Sequence, residues 1–127
     1  MDATTGLERW RFTTGGRVFS SPAIEDGVVY IGSGDSYLYA LDASTGQLLW
    51  RTSLGGGILS SPALAGGLVV VGSSDGRLYA LQQTDGVDLW DFLVGDRIPV
   101  WTSPAVVDGS IYFGAHDGNV YALHAAE

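Results

Sequence analysis

The stretch Ala40–Trp50, which reads ALDASTGQLLW, occurs in varied form three times in this chain. Its tryptophan recurs every 40 residues, as Trp10, Trp50 and Trp90. Two shorter sequences recur with nearly the same period: Ser-Pro-Ala at 21–23, 61–63 and 103–105, and Tyr-Ala-Leu at 39–41, 79–81 and 121–123. A fixed period near 40 residues indicates a repeat protein in which each repeat is one supersecondary unit. We therefore divide the chain into units at about residues 2–41, 42–81 and 82–124.

One unit reads as four short β-strands separated by turns. Phe19–Ile24 is β-compatible, and Glu25-Asp26-Gly27 after it predicts a tight hairpin. Val28–Ile31 is continuously apolar, as expected for a strand that is covered on both faces. Tyr37–Leu41 and Leu48–Thr52 follow after further turns. A four-stranded antiparallel meander repeated every 40 residues predicts an all-β fold, with three β-propeller blades per chain.

The composition argues against several classes of protein. The chain has 127 residues and no cysteine, which excludes a disulfide framework and a thiolate metal site. Its net charge of −8 disfavours a nucleic-acid partner, because binding to phosphates requires basic patches. No apolar run approaches the ~18 residues of a membrane helix, so we expect no membrane span.

These residues resemble the PQQ-like (pyrroloquinoline-quinone-like) propeller repeat, the tryptophan-docking blade of quinoprotein dehydrogenases. The family pattern Ala-x-Asp-x-x-Thr-Gly-x-x-x-Trp is met in full between Ala40 and Trp50. The first copy lacks the leading alanine, and the third has Gln82 for Asp and Asp85 for Thr. The resemblance implies that each tryptophan docks between adjacent blades, near the backbone of the alanine and glycine positions. The expected docking residues are Trp10, Trp50, Trp90, Gly6, Gly46, Gly86, Ala40, Ala80 and Ala122.

The resemblance implies more than one class of function. Members of the family include dehydrogenases, the lipoprotein propeller of outer-membrane protein assembly and sensor domains of bacterial receptors. The dehydrogenases that resemble this repeat have eight blades, a vicinal cysteine pair over the cofactor, and a calcium held by carboxylate and amide side chains. Here there are three units, no cysteine and a single asparagine, Asn119. We therefore predict a non-catalytic scaffold or binding module without cofactor or metal; a partial quinoprotein-like dehydrogenase is the alternative. An extracytoplasmic or periplasmic location is favoured by the resemblance alone.

The strand count leaves the last unit incomplete. We expect an outer strand at Leu7–Thr13 before the first complete set of four strands, and no outer strand after Val120–Leu123. Propellers close by pairing an N-terminal strand with the last blade, which removes an exposed edge. Propellers typically have four to eight blades, so two chains would give six and three would give nine. The leading hypothesis is a six-bladed head-to-tail homodimer; a fragment or an engineered piece of a longer propeller is the alternative.

Positions that break the repeat are candidates for a partner-binding face. Gly15-Gly16-Arg17 aligns with Gly95-Asp96-Arg97, so Arg17 and Arg97 are expected at equivalent positions. Trp101 ends a stretch that carries a two-residue insertion, and a tryptophan beside an arginine is typical of a binding hot spot. A tryptophan that fills a gap between blades is the alternative. We predict that Arg17, Arg97, Trp101 and His116 form a surface for a protein or peptide partner.

The remaining polar candidates favour structural roles. Asp35, Asp75 and Asp117 occupy the same turn in every unit, where aspartate commonly forms the turn itself. His116 stands where the other units have glycine and serine, and its pairing with Asp117 falls short of a metal or acid–base site. His124 is expected to pack at the seam. We therefore predict no catalytic and no metal-ligating residue.

Overall fold

The computed structural model describes residues 6–95 and 98–124, whose regular elements are all β-strands. No helix in this part of the chain is long and apolar enough to cross a membrane. The eleven strands are β1 (Ala23–Glu25), β2 (Val28–Gly32), β3 (Tyr37–Asp42), β4 (Leu48–Ser53), β5 (Ala63–Ala65), β6 (Leu68–Gly72), β7 (Arg77–Gln82), β8 (Asp88–Leu93), β9 (Ala105–Val107), β10 (Ser110–Gly114) and β11 (Val120–His124).

The strands form three antiparallel meanders that follow the sequence repeat. The first sheet has the order β1-β2-β3-β4, the second β5-β6-β7-β8, and the third β9-β10-β11. The register also repeats, because Ala23 faces Tyr30, Ala63 faces Val70 and Ala105 faces Tyr112. The predicted all-β fold of repeated propeller blades is confirmed.

The first hairpin of every unit is a two-residue turn with two positive φ angles. Asp26 and Gly27 have φ of 52° and 75°, and Gly66 and Gly67 have 53° and 86°. Asp108 and Gly109 repeat this at 49° and 78°. Such turns match the twist of the strands that they join, and they favour glycine and aspartate. The Asp-Gly and Gly-Gly pairs therefore set these hairpins locally.

The core lies between the sheets. In β6, Val69 and Val71 pack with Tyr30 of the first sheet, whereas Val70 packs with Ile111 of the third. All three valines of β6 are fully buried. The expectation of strands covered on both faces is therefore confirmed for the middle unit. It is not met by Val28–Ile31 within one chain, because Val29 and Ile31 line an open cleft. The first and third units each have one face without a neighbouring sheet in the described residues.

The expected outer strand at Leu7–Thr13 is not formed within a single chain. The described residues contain no strand before β1, and the third sheet ends at β11. A strand requires a paired neighbour, and β4 already occupies the outer position of the first sheet. β11 is therefore an edge strand of the third sheet, and its Val120 side chain is 81% exposed.

Candidate functional site

Two tryptophans pack on the turn between the third and fourth strands of a sheet. Trp10 packs on the first sheet, and Trp50 of the first sheet packs on the second. Trp10 Nε1 donates a hydrogen bond of 2.8 Å to the carbonyl oxygen of Ala43, and Trp50 Nε1 donates one of 2.9 Å to that of Gln83. Each indole lies directly on the glycine of that turn. A Cβ at Gly46 would be 2.5 Å from Trp10 Cε3, and a Cβ at Gly86 would be 2.4 Å from Trp50 Cε3. The glycine of the motif is required because the ring occupies the space of a side chain.

The other expected docking residues differ in whether they are buried and in contact with a neighbour. Ala40 faces Trp50 across β3 and β4, Ala80 faces Trp90 across β7 and β8, and both alanines are fully buried. Gly6 has φ +74°, close to the +75° and +76° of Gly46 and Gly86, but no described atom lies within 4 Å of its Cβ position. Ala122 is exposed in β11. The residues that lack an inter-unit contact thus belong to the two ends of the row of units.

A second contact between units was missed in the sequence. Ile58 packs on Gly32, where a Cβ would lie 2.3 Å from its Cγ2. Val100 packs in the same way on Gly72, at 2.4 Å from its Cγ1. The loops that precede β1, β5 and β9, which we call the inner loops, are also linked. The Ser21 amide donates to Ser61 Oγ at 2.8 Å, and the Ser61 amide donates to Ser103 Oγ at 3.0 Å. The sequence does carry a signal for this contact. A glycine ends the second strand of every unit, at Gly32, Gly72 and Gly114.

The three repeated aspartates form turns and bind a tyrosine. Asp75 Oδ1 accepts the Arg77 amide at 3.0 Å, while its Oδ2 accepts the Tyr79 hydroxyl. Asp35 and Asp117 make the same pair of contacts, with Tyr39 and Tyr121 as the tyrosines. The turn-forming interpretation of these aspartates agrees with this geometry. The tyrosine partner was missed, although it stands four residues after the aspartate in every unit.

Burial and hydrogen bonding shift the pKa of two of these aspartates and of their tyrosines. Burial opposes ionisation of Asp35, but hydrogen bonds from Tyr39, Tyr37 and neighbouring groups outweigh it and lower the pKa of Asp35. The hydrogen bond from Tyr121 is the main cause of the lowered pKa of Asp117. Burial, with the contact to Asp75, raises the pKa of Tyr79 above its ordinary value of 10.0. The lowered pKa values of Asp35 and Asp117 favour the charged carboxylate, and the raised pKa of Tyr79 favours the neutral phenol.

We call the end of the sheets that carries the turns 33–36, 73–76 and 115–118 the loop face. Trp101 lies here, 39% exposed, edge to face with His116 at 4.4 Å between ring centroids. The His116 amide donates to the carbonyl oxygen of Pro99 at 3.3 Å, which fixes the turn against the inserted loop. The structure therefore brings two of the four predicted binding residues together as an aromatic pair.

The structure corrects the alignment of the arginines. The Arg17 carbonyl oxygen accepts the Gly34 amide at 2.7 Å, and the Gly57 carbonyl accepts the Ser74 amide at 3.0 Å. In the third unit this position belongs to Pro99, so the two-residue insertion displaces Arg97 from equivalence with Arg17. Arg97 itself lies outside the described residues.

The remaining observations concern the counterparts of Trp101 in the other units and the predicted seam residue His124. The counterparts of Trp101 are Phe19, which is 58% exposed, and Leu59, which is half-buried. The loop face therefore presents a large apolar side chain in every unit. His124 lies exposed at the end of β11, opposite Ser110.

Quinoprotein members of this fold bind PQQ and calcium, and the donor set here does not fit these groups. The carboxylates of Asp35, Asp75 and Asp117 are occupied by turn amides and tyrosine hydroxyls. Residues 6–95 and 98–124 contain no cluster of three or more His, Cys, Asp or Glu residues that could hold a metal ion. We therefore assign no chemical step to either group.

Comparisons with known proteins agree with the repeat and the fold. The chain is similar to BamB from Moraxella catarrhalis, with 26% identity and a TM-score of 0.85, over 98% of this chain and 39% of that protein. It is similar to the quinohemoprotein alcohol dehydrogenase ADHIIG from Pseudomonas putida HK5, with 26% identity and a TM-score of 0.77, over 92% of this chain and 20% of the enzyme. The quinohemoprotein alcohol dehydrogenase from Comamonas testosteroni, with 24% identity and a TM-score of 0.76, over 87% of this chain and 20% of the enzyme, shows the shared fold.

The chain spans well under half the length of these solved structures. No protein of curated function matches it by sequence. The family model described as outer membrane protein assembly factor BamB matches residues 1–127. Together with the docked tryptophans and the repeated sheets, this match shows that the chain belongs to the BamB-like family of PQQ-type β-propeller repeats.

Proposed function

We propose that this chain is a non-catalytic β-propeller scaffold that binds a protein or peptide partner through its loop face. The observation that carries the proposal is the Trp101–His116 pair, which is exposed and held in place by Pro99. A rigid aromatic side chain offers a large contact area at a small cost in conformational entropy. The similar BamB carries the description of an assembly factor, which agrees with a protein partner.

Two further features support the scaffold role. Phe19 and Leu59 place apolar side chains at the positions of Trp101 in the other units, so the apolar surface continues across the loop face. The repeated carboxylates make structural hydrogen bonds in every unit. Within this surface, Trp101 and His116 form the proposed centre and Arg17 is part of the proposed basic rim.

Peptide selection tests the proposal. A random peptide display library would be selected against the chain, and the affinity of the enriched peptides would be measured against Trp101→Ala and against Phe19→Ala as the matched control. We expect Trp101→Ala to weaken binding about tenfold or more, and Phe19→Ala to weaken it less. Failure to enrich any peptide, or equal binding by Trp101→Ala, would contradict the proposal.

The rival function is that of a quinoprotein-like dehydrogenase, and it has its own readout. PQQ and calcium would be added to the chain with an alcohol and an artificial electron acceptor. We expect no reduction of the acceptor above the level of PQQ alone, because the carboxylates are occupied by structural hydrogen bonds. Reproducible reduction that requires the protein would overturn the non-catalytic role.

A further inference from the structure

We infer that a second copy of this chain covers both open faces of the row of units, head to tail, and so closes a six-bladed ring. The inference does not depend on partner binding at Trp101. It rests on contacts that occur twice inside the chain. For each contact, one half is left exposed at unit 1 and the matching half at unit 3.

The open face of unit 3 carries apolar positions that are buried in the other units. Tyr112 is 44% exposed, whereas its counterparts Tyr30 and Val70 are 2% and 0% exposed. Val120 is 81% exposed, and its counterparts Leu38 and Leu78 are fully buried. Exposed apolar side chains grouped on one face of a sheet are typical of an interface.

The open face of unit 1 has the matching half. Val18 is 49% exposed, although its counterparts Ile58 and Val100 are fully buried on Gly32 and Gly72. An open cleft of about 230 Å³ lies on this face, lined by Trp10, Phe12, Thr14, Val18, Val29, Ile31 and Leu41. The glycine that corresponds to Gly32 and Gly72 in unit 3 is Gly114, whose Cβ position has Thr102 as its nearest neighbour at 3.6 Å. Val18 of one copy therefore fits on Gly114 of the other.

The tryptophan contact is divided in the same way. Trp10 covers Gly46 and Trp50 covers Gly86, so the next members of the series are Trp90 and Gly6. Gly6 already has the backbone conformation of the covered glycines, with φ +74°. Trp90 of one copy therefore has its docking position on Gly6 of the other.

The strand edges are complementary as well. In the complete sheets, Ala40 faces Trp50 and Tyr39 faces Arg51 across the outer strand pair. The equivalent register places Ala122 of β11 opposite Trp10 of the second copy and Tyr121 opposite Arg11. The segment 8–13 is held beside the first sheet by the Trp10 hydrogen bond to Ala43 and by the ring contact of Phe12 with Tyr39. It is thus positioned as the outer strand of a preceding blade.

Geometry favours two copies. In a single chain the two open faces remain exposed, so the chain does not close on itself. Two copies give six blades, within the usual range of four to eight, whereas three copies give nine. Head-to-tail contacts that close by a two-fold axis bury both faces of both copies.

The test is the mass in solution of the 127-residue chain and of paired variants, measured by light scattering after size exclusion. We expect the unmodified chain at twice its 13.3 kDa mass. Val18→Asp places a charge in the interface and should raise the dissociation constant at least about 100-fold. Val87→Asp is the matched control, because Val87 is 51% exposed and its counterpart Gln47 is polar and exposed. It should remain a dimer.

A glycine pair keeps the test decisive if Val18→Asp fails to fold. Gly6→Ala should give a folded monomer, because the added Cβ meets open space in one chain and the Trp90 ring in the dimer. Gly27→Ala has the same strain at φ +75° and open space, and should remain a dimer. A folded monomer for the unmodified chain, a mass of three copies, or an intact Gly6→Ala dimer would overturn the inference.

Discussion

Gly46 and Gly86 each combine a left-handed backbone with a ring that leaves no room for a side chain. Their φ angles of +75° and +76° would strain any other residue, and the Trp10 and Trp50 rings lie within 2.5 Å of the Cβ positions. Gly27 has the same φ but no atom within 4 Å of its Cβ position. The comparison separates backbone strain from steric exclusion.

Substitution of these glycines should show this separation. We expect Gly27→Ala to lower the free energy of unfolding by about 1 kcal/mol, from backbone strain alone. Gly86→Ala should lower the free energy of unfolding by about 1–3 kcal/mol more than Gly27→Ala does, because Trp50 must move from its position. Urea denaturation of both variants measures the difference. Equal losses would mean that the Trp50 ring does not press on Gly86.

The tyrosine–aspartate pairs predict the pH dependence of stability. The pKa of Asp35 is lowered, so its contribution is complete above its unfolded value near ~4 and is lost as the pH falls through the folded value. The pKa of Tyr79 is raised, so its contribution is complete below its unfolded value near ~10 and is lost as the pH rises towards the folded value. We expect a stability plateau between these limits, measured by denaturation across the pH range. A maximum confined to acid pH would contradict the assignment.

Tyr79→Phe tests the pair directly. Removal of the hydroxyl leaves Asp75 Oδ2 without the Tyr79 donor, while Oδ1 keeps the Arg77 amide. The substitution should cost about 1–2 kcal/mol at neutral pH, and it should also weaken the loss of stability at alkaline pH. Tyr37→Phe is the control, because the Tyr37 ring lies 4.5 Å from the Arg51 guanidinium and phenylalanine keeps that contact. Similar losses in both variants would show that the Tyr79 hydroxyl contributes nothing specific.

At the scale of the strands and loops, the sequence period predicts most of the architecture. Apolar runs such as Val28–Ile31, with Asp-Gly and Gly-Gly turns, act locally and therefore set the sheets and their hairpins. The alignment of Arg97 with Arg17 is wrong, because counting residues from Gly95 does not show which carbonyl oxygen accepts the amide of the neighbouring turn. In the third unit Pro99 supplies this carbonyl, as Arg17 does in the first. The strand at 7–13 needs a partner edge, which no local pattern supplies.

The serine ladder between the inner loops is an element-scale prediction. Ser61→Ala removes the acceptor of the Ser21 amide, 2.8 Å away, and should lower the free energy of unfolding by about 1 kcal/mol. Ser44→Ala is the control, since the amide of Ser44, which the substitution keeps, binds Asp42. Thermal denaturation compares the two variants. Equal stability would show that the serine hydrogen bonds between the inner loops do not stabilise the fold.

For the whole molecule, the repeat explains both the fold and the proposed assembly. The repeated contacts inside the chain predict the contacts of the dimer, since each half-contact exposed at one end of the chain has its matching half at the other end. A dimer of this kind should unfold at a temperature that rises with protein concentration. Two copies joined in tandem should behave as one closed ring, with a melting temperature independent of concentration. Calorimetry over a hundredfold concentration range distinguishes the two cases, and a concentration-independent melting temperature for the single chain would contradict the dimer.

Hydrogen exchange of β11 tests the central claim most directly. In a closed ring β11 is an inner strand, like β3 and β7, and its amides should be protected to the same degree as those of residues 37–42 and 77–82. The segment 8–13 should gain protection together with it, and both should lose it on dilution. Rapid exchange along β11 at all concentrations, with β10 still protected, would contradict closure by a second copy.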